Sequence, residues 1–178
     1  MLELYSIGHS NRALEDFISM LWANQISAIA DVRTRPQSRF NPHFNRVALS
    51  ESLELAGITY RHFPDLGGLR SPAQTSRNTG WQNPAFRAFA DYMQSPDFTA
   101  GLAQLILWTA DERIAILCAE ADPLHCHRSL IADALFVRGI TVRHILSETA
   151  LRPHTLTPFA QANGLVIIYP PTSDVLPL

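Results

Sequence analysis

The chain has 178 residues, 47% hydrophobic and 17% charged, with a formal net charge of −2. Its length suits a single domain with a sizeable core, and its composition excludes a disordered chain. The near-neutral balance excludes an overall basic surface for nucleic acid, while allowing a local basic patch.

Short apolar runs alternate with amphipathic stretches along the chain, which predicts an α/β fold. The opening Met1-Leu2-Glu3-Leu4-Tyr5 turns polar too early for a signal peptide and begins a first strand that ends at Gly8-His9-Ser10-Asn11. Leu14, Phe17, Ile18, Leu21 and Trp22 follow at helical spacing, with Asn11 as the expected N-cap. Ser27 to Val32 reads as a second strand, Arg46 to Ala56 as a helix closed by Gly57, and Ile58 to His62 as a third strand. From residue 69 to residue 83 the chain is polar and aperiodic, and Arg70, Arg77 and Trp81 make it a candidate lid. Two helices follow, near residues 84–94 and 96–110, each with a proline in its first turn. Apolar runs such as Leu105-Ile106-Leu107-Trp108 in the second fall far short of the roughly 20 residues that span a bilayer. Arg113 to Cys118 is the clearest buried strand. A helix from His127 to Val137, a strand from Ile140 to Leu146 and a last strand from Leu165 to Tyr169 complete the pattern. The expected architecture is one domain over residues 1–169, a mostly parallel open sheet flanked by helices in a Rossmann-like three-layer arrangement. A Pro-rich tail over 170–178 follows it.

Open parallel sheets bind ligands beyond the carboxyl ends of their strands. At that rim the first strand delivers His9 and Ser10, and the second delivers Asp31, Arg33 and Arg35 with Ser38 and Arg39 close behind. The third brings His62 and the Gly67-Gly68 pair. The fourth brings Cys118, Glu120, Asp122, Cys126, His127 and Arg128, and the fifth His144. Cys126, His127 and Arg128 fall at a helix N-terminus, where free N–H groups favour anions and lower a thiol's pKa. Cys126 therefore reads as a nucleophile or ligand, against the plainer alternative of a small apolar side chain under a loop; for Cys118 that alternative weighs more. Two cysteines make no disulfide framework, so they indicate free thiols, metal ligation or redox use in a reducing cytoplasm. Cys118, Cys126 and His127, with His9 or His62, would suit zinc or iron. A zinc deaminase signature fits poorly because Cys118 follows a strand, and a phosphatase or rhodanese loop fails because Arg128 lies ten residues beyond Cys118. Arg33, Arg35 and Arg39 offer forks for phosphate or carboxylate. Glu120, Asp31, His9 and His62 are the candidate proton carriers.

The strings Tyr5-Ser6-Ile7-Gly8-His9-Ser10-Asn11-Arg12, Asp31-Val32-Arg33, Pro36-x-Ser38-Arg39, Tyr60-x-His62, Leu66-Gly67-Gly68 and Cys118-Ala119-Glu120…Cys126-His127-Arg128 closely resemble the family known as domain of unknown function 488. The likeness runs from about Tyr5 to His144. It implies a compact α/β domain with a site at these positions, and names no reaction. The resulting expectation is an enzyme for a small phosphorylated or nucleotide-like substrate, or for a base within nucleic acid. Arg33, Arg39 and Arg128 would hold the anion, with Ser38, His62, Gly67, Gly68, Cys118 and His127 around it. Glu120, Asp31 or His9 would move protons, and Cys126 would serve as nucleophile or electrostatic partner. The alternatives are a zinc- or iron-dependent version built on the cysteines, and a nucleic-acid-binding or regulatory module without chemistry.

Overall fold

A computed structural model describes residues 2–171; the C-terminal part of the expected tail, from residue 172, lies outside the described residues. The elements are β1 (Glu3–Gly8), α1 (Leu14–Ala23), β2 (Ala28–Asp31), α2 (Arg46–Leu55), β3 (Thr59–His62), α3 (Pro84–Tyr92), α4 (Pro96–Trp108), β4 (Ile114–Cys118), α5 (Arg128–Phe136), β5 (Thr141–Ile145), β6 (Leu151–Pro153), β7 (Gln161–Asn163) and β8 (Val166–Ile168). The first six strands form one sheet in the order β3-β2-β4-β1-β5-β6. β1 to β5 are parallel, and β6 lies antiparallel along the edge of β5. This is the expected α/β fold. No helix among the described residues is long and apolar enough to cross a membrane.

Alternation along the strands divides the core in two. Leu4, Ala28, Ala30, Ile114 and Ile116 face a cluster with Phe89, Phe98, Leu102, Leu105, Leu130 and Leu135, contributed by α3, α4 and α5. Tyr5, Ile7, Ile29, Ala115 and Leu117 face Phe17, Leu21, Leu49 and Leu53 of α1 and α2. From β1 the chain leaves toward β2 over the α1 face, whereas from β4 it leaves toward β5 over the α5 face. Adjacent strands whose connections depart to opposite sides open a crevice at their carboxyl ends, and β1 and β4 are such a pair.

Two local expectations change. The N-cap position of α1 is Ala13, without a side-chain bond, so Asn11 does not cap the helix; Glu15 and Asp16 in its first turn complement the helix dipole instead. The last strand, β8, leaves the main sheet and pairs with β7 in a hairpin. The edge position beside β5 is already taken by β6, which returns after a turn in which Leu146 donates its N–H to the Ala150 carbonyl. Gly57 and Gly139, at φ +75° and +74°, end α2 and α5 in the left-handed conformation that stops a helix.

A polar chain threads the α5 face of the sheet. His154 donates from Nε2 to Asp133 Oδ1 at 2.9 Å, so its Nδ1 accepts from His144 Nε2 at 3.1 Å, and His144 Nδ1 accepts from the Ser6 hydroxyl at 2.7 Å. Ser6 in turn accepts from Arg128 Nη1 at 3.4 Å. The other Asp133 oxygen accepts from Thr157 and Tyr169. With the donors pointing the same way, each buried polar group along this run has a partner while the His144 ring is neutral. Burial, reinforced by His154, holds His144 at about 3, below its ordinary 6.5. On acidification the unfolded chain binds that proton first, so the stabilisation present above 6.5 is lost as pH falls toward 3. Urea unfolding at decreasing pH should therefore show a falling midpoint across this window, with a shallower decline in His144→Gln. An unchanged decline in the variant would place the acid sensitivity elsewhere.

Candidate active site

The carboxyl ends of β1, β2 and β4, with residues 34–41 and 68–69 and the start of α3, enclose a cavity of about 710 Å³. Strand alternation gives it two chemically different walls. His9 continues the β1 register that faces α1 and α2, and Asp31 and Arg33 meet it there. Cys118 ends β4 on the face toward α3 and α5, where Cys126 and His127 join it.

On the first wall Asp31, fully buried, accepts from Arg33 Nε at 2.9 Å, from Arg33 Nη2 at 2.6 Å and from the Tyr60 hydroxyl at 2.7 Å. Arg33 Nη1 donates to the Phe44 carbonyl at 2.9 Å and to His9 Nε2 at 3.2 Å. With Nε2 accepting, His9 carries its proton on Nδ1 and donates it to the Ser10 carbonyl at 2.8 Å. Burial, with the Arg33 charge beside it, pushes His9 down to about 4, and the neutral ring stacks on Phe44 at 4.3 Å. Asp31 thus holds Arg33, and Arg33 holds His9. Carboxylate and guanidinium have their hydrogen-bonding capacity taken up by protein groups, so the arrangement suits positioning better than proton transfer or anion binding.

The second wall is the reactive one. Cys118 Sγ, Cys126 Sγ and His127 Nδ1 lie within 4.8 Å of one another, with 3.9 Å and 3.7 Å from Nδ1 to the two sulfurs. His127 Nε2 donates to the carbonyls of Val32 and Leu66, both at 3.1 Å, which fixes the tautomer and turns Nδ1 toward the sulfurs. One imidazole face lies against Gly68, where a Cβ would come within 2.6 Å of Nδ1, and the edge of Phe89 packs at 4.9 Å. A hydrogen bond from the Cys118 thiol holds Cys126 well below the ordinary thiol range, with His127 and Arg128 adding to the effect; the same bond and burial raise Cys118. A tetrahedral zinc with bonds of about 2.3 Å to sulfur and about 2.0 Å to nitrogen sets its ligand atoms roughly 3.5–3.8 Å apart; the two N–S separations are close to this, and the sulfurs, within 4.8 Å of each other, would draw together on such an ion.

The remaining predicted residues divide. Glu120 is exposed; it lines the cavity and its carboxylate has no hydrogen-bond or ion-pair partner among the described residues. Arg128 is 1% exposed and bonds inward, from Nε to Cys126 Sγ at 3.3 Å, from Nη1 to Ser6 and from Nη2 to the Glu120 carbonyl. It supports the Cys126 loop and does not line the cavity. His62 donates from Nε2 to the Arg33 carbonyl at 2.8 Å and faces a different surface depression, beside Trp108. Ser38 lines the cavity while accepting from the Asn41 amide. Arg39 lies in a neighbouring groove that shares part of the cavity wall. Gly67 fits under Thr34, whose Oγ1 a Cβ would approach to 2.5 Å. The candidate lid is tied down at both ends. Arg70 donates to the Gly67 and Pro64 carbonyls and stacks on Tyr92, and Asn78 and Gly80 bond to Tyr169 while Trp81 packs on Phe159. Tyr60 and the Ser6–His144–His154–Asp133 chain escaped sequence reasoning, although Tyr60 and Ser6 stand within the quoted strings and His144 was assigned to the rim.

Removing the carboxylate charge of Asp31 leaves Arg33 buried without its counter-ion. Asp31→Asn should therefore destabilise the fold by about 3–5 kcal/mol in urea titration. A loss well under 1 kcal/mol would show that the pair does not hold this wall.

The profile described as "Domain of unknown function DUF488" matches residues 13–135, which leaves the Tyr5–Arg12 string and His144 outside the matched span. No curated protein and no solved structure matches the chain. Because the match covers more than half of the sequence, the chain belongs to the DUF488 family.

Proposed function

We propose that the protein is a metal-dependent enzyme that binds zinc through Cys118, Cys126 and His127 and hydrolyses a small anionic substrate in the adjoining cavity. The observation that carries this reading is the convergence of two thiols and one imidazole nitrogen within 4.8 Å on a cavity wall, with the imidazole's other nitrogen held by two carbonyls. A histidine that donates its far N–H to backbone oxygen is the usual support for a metal ligand. Three protein ligands leave a tetrahedral ion one position for water, the arrangement of catalytic rather than structural zinc. Bound there, zinc would supply an acidified water at neutral pH. Glu120, unpaired on the cavity wall, would be the residue to take up a proton there, while His9 and Arg33 shape the opposite side. Free thiolates of this kind suit a reducing cytoplasm.

Native mass spectrometry and elemental analysis test the reading. About one zinc per chain is expected, reduced to trace levels in Cys118→Ser and Cys126→Ser and released by chelator at mildly acidic pH, since protons compete for the ligands. Glu120→Gln should keep the metal and lose turnover by about 100-fold or more, in line with removal of a general base. A metal-free protein that gains nothing from zinc would sink the proposal. The low-lying Cys126 thiol favours a second reading, a metal-free thiol nucleophile. Rapid alkylation of Cys126 in metal-free, active protein would identify it. Salt-sensitive oligonucleotide binding that tolerates Glu120→Gln would instead favour a nucleic-acid-binding module.

A further inference from the structure

Next to the reactive cavity lies a second concavity of about 930 Å³, and the two share Thr34, Arg35, Gln37 and Ser38. Arg35, Arg39 and Arg46 line it. The chain contains no lysine, so its 14 basic side chains are all arginines. Ten of them are committed to carbonyls, carboxylates or aromatic rings, as Arg12, Arg33, Arg61, Arg113, Arg128 and Arg152 illustrate. Arg35, Arg39, Arg46 and Arg77 are the ones whose guanidinium groups have no hydrogen-bond, ion-pair or ring partner among the described residues. Three of these four share one groove.

Like charges gathered in a concave surface repel one another unless an anion joins them, and the guanidinium fork suits phosphate oxygens. The start of α2 adds to the same field. Its cap residue, Asn45, makes no side-chain bond to the helix because its Oδ1 accepts the Ser38 amide at 2.6 Å, and Asn45, Arg46 and Val47 line the groove. A net charge of −2 gives the chain no overall basicity for a polymer, and three of the four unpartnered guanidinium groups among the described residues gather at this groove. A compact ligand fits this distribution better than a nucleic-acid strand.

We propose that Arg35, Arg39 and Arg46 form the phosphate-binding subsite for a phosphorylated small molecule that lies across both concavities. Its phosphate is held in the arginine groove, and its reacting end reaches Cys118, Cys126 and His127. The phosphate is a handle, and the bond broken is at the other end of the molecule. The second half of this statement rests on the proposed metal centre; the arginine subsite does not depend on it.

Calorimetric titration with inorganic pyrophosphate tests the subsite on the full chain. Binding by the parent protein is expected. It should weaken about tenfold or more in each of Arg35→Ala, Arg39→Ala and Arg46→Ala, the scale of one lost charge-assisted contact. Because these side chains are exposed and unpartnered, the variants should keep the parent's melting temperature. Cys126→Ser should bind pyrophosphate as the parent does. Retained binding in protein shown to be metal-free supports the subsite and counts only against the metal reading. Absence of binding by the parent, parent-like affinity in all three arginine variants, or loss in Cys126→Ser alone would overturn the proposal. So would an oligonucleotide that binds through these arginines when pyrophosphate does not.

Discussion

The site depends on one buried guanidinium. Arg128 stands at the first position of α5 with 1% of its surface exposed, and it joins α5, the β4–α5 connection and β1. It bonds to the Glu120 carbonyl in the β4–α5 connection, to Cys126 Sγ in the same connection and to Ser6 on β1. A charge so far from water costs several kcal/mol unless it is well partnered. The partnering continues through Ser6, His144 and His154 to Asp133, one turn and a little further along α5. Cation and carboxylate are thus linked through a directed run of neutral groups. The run crosses β1 and β5 and ties the late segment around Thr157 and Tyr169 to the core.

The close approach of the backbones follows from the same constraint. A Cβ on Gly8 would lie 1.8 Å from the Glu120 carbonyl oxygen, so the β4–α5 connection can fold over the end of β1 only at a glycine. Gly68 does the same for His127 from the other side. These contacts bring the cysteine-bearing loop down onto the rim and leave its sulfurs on the cavity wall. The cavity then separates two tasks. The Asp31–Arg33–His9 wall is an internally satisfied scaffold, and the Cys118–Cys126–His127 wall keeps its donor atoms turned toward one another.

That separation explains which residues change role. Arginines at the rim are attractive anion ligands when read as a list, yet Arg33 and Arg128 are buried and their donors go to the protein. Arg39 and Arg35, also expected at the rim, keep theirs, and so does Arg46, which the sequence did not single out. Histidines divide in the same manner. His62 secures the backbone of Arg33 and looks away from the cavity, whereas His127 has its near nitrogen aimed at both thiols.

Alternating apolar runs and amphipathic stretches were enough to assign the α/β class, the five parallel strands and the helices between them, because periodicity is a local property. The rim location of Cys118, Cys126, His127 and His9 followed as well, since side chains just past a parallel strand share one edge of the sheet. Strand order was not readable, nor were β6 and β7, because three-residue strands carry too little periodicity to signal themselves; β8 was read as a strand, but not its pairing with β7. Nor could sequence say which charged groups would be spent on one another. Asp31 with Arg33, and Arg128 with Asp133 through two histidines, are partners chosen by which side of the sheet each faces and by how little water reaches them. Local pattern set the chemistry available at the rim. Burial, which only the packed tertiary structure defines, decided which groups remain free to use it.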